Sequence, residues 1–298
     1  MNTPLVSVVC LCYNQEQFVE QAIQSVRNQT YPNIQLIVVD DYSTDESVEV
    51  IKRTLPHYPG AEFIACSSNL GNCSAFNKGF VKAKGDFIID LSADDILLPE
   101  RIEKGVKIFQ SAGAEVGVNF TDAEQIDEKG KSLGYHSDRF PHDTIPHGDV
   151  YREVISRYFI NSPTMMMRRA VFEKLGGYDE SLAYEDFDFW VRSARYFKYC
   201  YTAEPLVKRR IVSSSLGRKQ YSKGSGQLRS TLKVCEKAYA LNKTSEENDA
   251  LKKRILYEMR QTLRVGEILI AWDYLKLLNR IFTKQSVGGW LSNERWIL

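Results

Sequence analysis

The chain has 298 residues, 43% hydrophobic and 26% charged, which excludes a disordered or fibrous protein. Its formal net charge of +1, from 39 basic and 38 acidic residues, excludes a polyanion-binding protein by bulk charge. The balance is uneven, because Lys208 to Arg264 carries 15 Lys or Arg against 5 Asp or Glu. Such a stretch suits either a solvated helical face or an anionic membrane surface or lipid-linked phosphate.

Residues 5–12, LVSVVCLC, form an apolar run without helical period and suit a strand buried on both faces. In the following YNQEQFVEQAIQSVRNQ, Phe18, Ala22 and Val26 keep i, i+4, i+8 spacing, and Asn14 with Gln17 resembles a capping pair. IQLIVVDD is a second buried strand, and Ser43 with Glu46 reads as a capping box before the helix SVEVIKRTL. AEFIAC is a third strand, leading through the loop SSNLGN to a helix near SAFNKGFVKAK. DFIIDLS is a fourth, ending at Asp94–Asp95, after which Pro99 opens ERIEKGVKIFQSAG.

Four alternations of strand and helix in the first 113 residues predict an α/β fold, a mostly parallel Rossmann-like sheet flanked by helices. In such sheets ligands bind outside the carboxyl ends of the strands. Cys12–Tyr13–Asn14, Asp40–Asp41 and Asp94–Asp95 all stand at carboxyl ends.

EVGVNFTDAEQID reads as a further strand pair, antiparallel or at an edge. GYHSDRFPHDTIPHGDV, with His136, His142 and His147, reads as a mobile loop over the site rather than a metal centre. Glu185, Asp186 and Asp188 crowd the start of a helix whose dipole stabilises carboxylates, so capping alone would explain them. From about residue 222 the pattern turns all-helical, with a capping box at Thr244 and Glu247 and a third helix over 267–283. The expected domains are 1–220 and an α-helical C-terminal extension, 221–298.

The six cysteines show no CxxC pair or zinc spacing and are expected as buried reduced thiols. MNTPLVSVV has no charged n-region or cleavage site, and no apolar run nears the roughly 20 residues that span a bilayer. A cytoplasmic chain, peripheral to the inner face of the membrane at most, is the expectation.

Carboxylates converging on one sheet edge need a counter-charge, and Mn²⁺ or Mg²⁺, which prefer oxygen ligands and bridge to diphosphates, would supply it. The chain has no GxxxxGK[ST] loop and no GxGxxG after the first strand, which argues against a P-loop kinase and a dinucleotide dehydrogenase.

Three blocks together carry a family resemblance: PLVSVVCLCYNQEQFVEQAIQSVRNQTYPNIQLIVVDDYSTDES, NLGNCSAFNKGFVKAKGDFIIDLSADDILLPERI and LGGYDESLAYEDFDFW. Over roughly residues 4 to 215 the chain resembles family 2 glycosyltransferases, inverting enzymes of GT-A fold. The resemblance implies a nucleotide pocket at Cys12, Tyr13, Asn14, Asp41 and Asn69. It places Asp94 against the ribose and diphosphate, Asp95 on the metal and Asp186 as general base with Glu185 beside it.

It also implies a nucleotide-sugar donor, most simply a UDP-sugar, and a glycan or lipid-linked acceptor in cell-surface polysaccharide synthesis. Phe76 stands where many relatives carry Arg, and RRIVSSSL around Val212 lacks the His that many carry near the metal, leaving a third metal ligand unassigned. These departures keep a non-catalytic nucleotide-sugar binding module as the alternative. A nucleotidyltransferase is a third reading, weakened by the lack of a glycine-rich, arginine-bearing loop after the first strand. The basic helices, with Trp272, Trp290 and Trp296, suit membrane contact, a homodimer contact or part of the acceptor site.

Overall fold

A computed structural model describes residues 3–140, 144–212 and 220–293. His142 lies outside them. The described chain divides into two compact units, the first of residues 1–150, 159–186 and 196–213, the second of 151–158, 187–195 and 214–298.

The first unit is built on a nine-stranded sheet. Its strands are β1 (Val6–Cys12), β2 (Ile34–Asp40), β3 (Glu62–Ala65), β4 (Phe87–Ser92) and β5 (Ile96–Leu97), then β6 (Val116–Ile126), β7 (Ser132–Tyr135), β8 (Met166–Arg168) and β9 (Lys198–Arg210). The order is β3-β2-β1-β4-β8-β6-β9-β5, with β7 hydrogen-bonded to β6. β1 to β4 pair in parallel, as the alternating pattern predicts. β8 then runs antiparallel to both β4 and β6, so the sheet is mixed.

The apolar runs explain the layering. Val6, Val8, Cys10 and Leu36, Val38 face one side of the sheet, where α1 (Val19–Arg27), α2 (Ser47–Thr54) and α4 (Arg101–Ser111) contribute Ile23, Ile51 and Ile102 to one core. On the opposite side α3 (Asn72–Phe80) packs so close to β1 and β2 that a Cβ at Gly79 would stand 2.5 Å from Val9 Cγ1. Phe76 is fully buried there, its ring centroid 4.3 Å from that of Tyr178 and 5.2 Å from that of Phe172 in tilted contacts, so it belongs to the core.

The segment expected to be a strand pair at an edge is instead one 11-residue strand, β6, set between β8 and β9, with β7 as its hairpin partner. Lying inside the sheet explains its nearly continuous burial. The predicted mobile loop begins inside that hairpin, and His136 is 5% exposed with Nε2 2.9 Å from the Phe159 carbonyl.

The second unit is helical. It gathers α5 (Tyr151–Ser156), Phe187 onward of α7 (Asp186–Ala194), α8 (Gly226–Leu241), α9 (Ser245–Arg264) and α10 (Ile268–Asn293); α6 (Arg169–Leu175) belongs to the first unit. Thr244 and Glu247 form the reciprocal capping box that the sequence predicts. A buried pair, Arg254–Glu258 at 3.1 Å, centres this unit. The Arg254 guanidinium also lies 3.9 Å from the Tyr158 ring, and Tyr221 donates its hydroxyl to Glu258 at 3.1 Å. All six cysteines are free thiols, five buried and Cys200 half-buried.

Candidate active site

The carboxyl ends of β1 and β2 are laced together by their own turn residues. Asn14 Oδ1 accepts from Thr44 N at 2.8 Å, and the Asn14 amide donates to Ser43 Oγ at 2.9 Å. Ser43 donates in turn to Asp40 at 2.5 Å, so Asp40 closes its turn. These bonds consume the side chains expected as helix caps: α1 and α2 start later, at Val19 and Ser47, with no capping side chain at Phe18 or Glu46.

Asn14 and Tyr42 are the two non-glycine residues with positive φ among the described residues, 53° and 68°. Both flank the same strand ends, and such strain persists where surrounding structure over-determines it, often at ligand sites. Tyr13 and Tyr42 are about half exposed beside this turn, whereas Cys12 is buried and its thiol is pushed up to about 12, mainly by burial. Asp41 is buried; its two oxygens accept from Leu70 N at 2.7 Å and Gly71 N at 2.9 Å, drawing in the loop that carries the exposed Asn69.

Asp94 and Asp95 follow β4 and differ in setting. Asp94 is half-buried and accepts from Ser92 Oγ at 2.5 Å. Asp95 is 3% exposed, its Oδ1 accepts from the Arg210 amide at 2.8 Å, and its carboxyl sits well above the usual range through burial and then the charge of Asp94. The Arg210 guanidinium donates to the Asp94 carbonyl at 3.0 Å and to Gln21 Oε1 at 2.6 Å, tying β9 to this corner.

Among the described residues no three His, Cys, Asp or Glu side chains gather closely enough to hold a cation by themselves. Two adjacent carboxylates are nevertheless the donor set of a cation that completes its shell with phosphate oxygens and water. The residues therefore fit a divalent cation that arrives with a diphosphate.

Glu185 and Asp186 stand where α7 begins. Asn72 of α3 donates to Glu185 Oε2 at 2.5 Å. Asn77 exchanges two 2.9 Å bonds with the backbone of Tyr178, locking the Gly176–Gly177 turn against α3. Gly177 has φ +87°, and a Cβ there would lie 2.7 Å from Asn77 Oδ1, so only glycine suits the position.

Tyr178 then donates its hydroxyl to Asp90 of β4 at 3.0 Å. Burial raises the carboxyls of Glu185 and Asp186, and the charge of Asp186 adds to the rise at Glu185. Asp90 is pushed up to about 7 by burial, partly offset by Tyr178 and reinforced by Asp186. Arg209, on β9, acts in the opposite sense on both Asp95 and Asp186.

Sequence reasoning did not single out Asp90, Tyr178, Asn72, Arg209 or Arg210. One signal existed for Asp90, a charge at the end of the otherwise apolar FIID run. Nothing local marks the others, because their partners lie far along the chain.

The sequence profile of glycosyl transferase family 2 matches residues 7–176. An uncharacterized glycosyltransferase of Methanocaldococcus jannaschii is 33% identical over 215 residues, which cover 71% of this chain and 72% of that one. The chain belongs to glycosyl transferase family 2.

Solved structures agree on the fold. Staphylococcus aureus TarS 1–349 superposes with a TM-score of 0.68 at 14% identity, covering 93% of this chain and 82% of that one. The same protein in complex with UDP-GlcNAc gives 0.66, over 84% of this chain and 71% of that one at 14% identity. The mannosyltransferase PcManGT of Pyrobaculum calidifontis, in complex with GDP-Man and Mn²⁺, gives 0.62 at 16% identity, covering 98% and 81%. The first unit thus has the GT-A fold of these glycosyltransferases. Within the family's fold, Phe76 and Val212 are both buried, so their departures from the common pattern lie in the core.

Proposed function

We propose that this chain transfers a sugar from a nucleoside-diphosphate donor, most simply a UDP-sugar, to an acceptor hydroxyl with inversion. What supports the reading is membership of glycosyl transferase family 2 together with two acidic pairs, Asp94–Asp95 just after β4 and Glu185–Asp186 at the start of α7, the latter tied to α3 by the 2.5 Å bond from Asn72 to Glu185. TarS was solved with UDP-GlcNAc and PcManGT with GDP-Man and Mn²⁺, which supports a nucleotide-sugar donor and a divalent cation.

In this reading Tyr13, Asn14, Asp41 and Asn69 receive the nucleoside. Asp94 would lie against the ribose and diphosphate, and Asp95 would hold Mn²⁺ or Mg²⁺, which would offset charge building on the departing diphosphate. Asp186, ionised, takes the proton of the acceptor hydroxyl as its oxygen attacks the anomeric carbon. The carbon–oxygen bond to the diphosphate breaks on the opposite side, and one displacement inverts the centre. Burial raises the Glu185 and Asp90 carboxyls as well, which weakens the negative charge that Asp186 faces. The acceptor is a hydroxyl of a glycan or a lipid-linked sugar.

Calorimetric titration with UDP, GDP and dTDP, each with and without Mn²⁺, tests the donor half. Metal-dependent binding of one nucleotide, lost in Asp94→Ala or Asp95→Ala, is expected. Asp186→Asn should bind the same nucleotide equally well while transfer falls about 10² to 10⁴-fold, the usual worth of a general base. Retained configuration in the product, or full activity in Asp186→Asn, would refute the mechanism. Nucleotide binding without turnover by the wild type, across acceptors, would leave a binding module.

A further inference from the structure

The second unit carries a surface that the sugar-transfer reading leaves unused. One face of α10 is buried against α8 and α9, with Ile270, Leu277 and Ile281 at 3%, 2% and 0% exposure. Its opposite face is apolar too: Ile268, Leu269, Trp272 and Leu275 are 69%, 71%, 57% and 42% exposed. Ile268, Trp272 and Leu275 follow i, i+4, i+7 and therefore share one stripe. Across the short turn at Gly266, α9 exposes Leu263 and, seven residues earlier, Leu256, at 53% and 46%. Large aliphatic and indole groups left in water on consecutive helices call for an apolar partner.

Charge selects which partner. The exposed charged residues of these two helices, among the described residues, are Lys253, Arg260, Arg264, Lys276 and Arg280 against Glu246 and Asp249. Both acids stand at the start of α9; nearer the patch, the half-buried Glu267 accepts from the Gly224 amide and the half-buried Asp273 pairs with Lys276 at 2.9 Å, which leaves the bases in excess. A second copy meeting this patch about a two-fold axis would bring two copies of one predominantly basic surface, with Arg260 and Arg264 unpaired by acids among the described residues, face to face, which opposes association. A polynucleotide would answer the charge but gain nothing from Ile268, Leu269 and Trp272. An anionic lipid surface answers both, since headgroups attract the bases while the acyl boundary takes the apolar side chains.

We propose that the α9–α10 hairpin is a docking surface for an anionic membrane. Docking lies along the interface and not across it: no helix among the described residues is long and apolar enough to span a bilayer. The chain is held by two weak terms together, charge and shallow apolar insertion, and neither alone gives stable attachment. The proposal does not depend on catalysis by the first unit.

The full chain is sedimented with vesicles of phosphatidylcholine alone and of phosphatidylcholine mixed with phosphatidylglycerol, at low and high salt. Binding is expected only to the anionic vesicles, with release at high salt. Each basic residue near such a surface contributes about a factor of five. The triple variant Arg260→Gln, Arg264→Gln, Lys276→Gln should then partition about a hundredfold less. Leu269→Ser with Trp272→Ser should weaken partitioning about tenfold with unchanged circular dichroism.

Should the triple variant lose helical signal, its three single variants, each expected to cost about fivefold, give the same reading. Equal binding to neutral vesicles, or none to anionic ones, overturns the proposal. A dimer in sedimentation velocity that these substitutions dissociate overturns it as well, assigning the face to a second copy.

Discussion

At the scale of single residues, the site is governed by where carboxylates are buried and what stands opposite them. Arg209 lowers the proton affinity of Asp186, against the larger raising effect of burial. Removing that charge in Arg209→Gln should move the acid limb of the activity profile to higher pH, because the base then holds its proton longer. A pH–rate profile of kcat/KM checks this; an unmoved limb would show that Asp186 does not set it.

Asp90 tests the same physics through stability. Its carboxyl rises from 3.8 to about 7 on folding, so the folded chain binds that proton more tightly than the unfolded one. The stabilisation is complete below the ordinary carboxylate range and lost as pH rises through about 7. Asp90→Asn, which stays neutral, should therefore gain stability relative to wild type above pH 7 and not below about pH 4, by at most about 4 kcal/mol. Denaturant midpoints measured across pH would reveal it, and a gain independent of pH would assign the effect to packing.

At the scale of elements, side chains that look like caps in sequence had two possible employers. Thr244 and Glu247 form the capping box even though Arg195 donates to Glu247 Oε1 at 2.7 Å, because the other oxygen, Oε2, is left to accept from the Thr244 amide. Asn14 and Ser43 stand equally well placed but face each other's loops, so tertiary hydrogen bonds took them from the helices. Local pattern identified the residue types and not the partner.

The buried Arg254–Glu258 pair in α9 gives an element-level expectation. Its side chains are 3% and 0% exposed, so Arg254→Ala would strand a buried carboxylate and should cost about 3 to 5 kcal/mol in urea denaturation. Replacing both partners together, as Arg254→Met with Glu258→Leu, should cost much less because no charge is stranded. Comparable losses in the two variants would mean that packing dominates.

At the scale of the whole molecule, a net charge of +1 and a pI near 7.6 leave little long-range repulsion at neutral pH. Solubility should pass through its minimum near that pH and recover on either side, which turbidity against pH would show; a minimum displaced by several units would mean that local patches govern association. The parallel half of the sheet, β1 to β4, and the acidic strand ends were legible because each strand is one mostly apolar run and acids close two of them, β2 and β4. Period and punctuation are local properties.

The sequence by itself determined the alternating core and the residue types at the strand ends, because apolar period and turn chemistry act over a few neighbours, and its three motif blocks carried the family resemblance. Only the tertiary structure decided that β6 lies inside the sheet and that β8 reverses direction between β4 and β6. It alone brought Tyr178 to Asp90, Asn72 to Glu185 and Arg210 to Asp95, across separations of 88, 113 and 115 residues. Those contacts depend on which strands become neighbours, and strand order is fixed by packing of the whole core, which no short window of sequence contains.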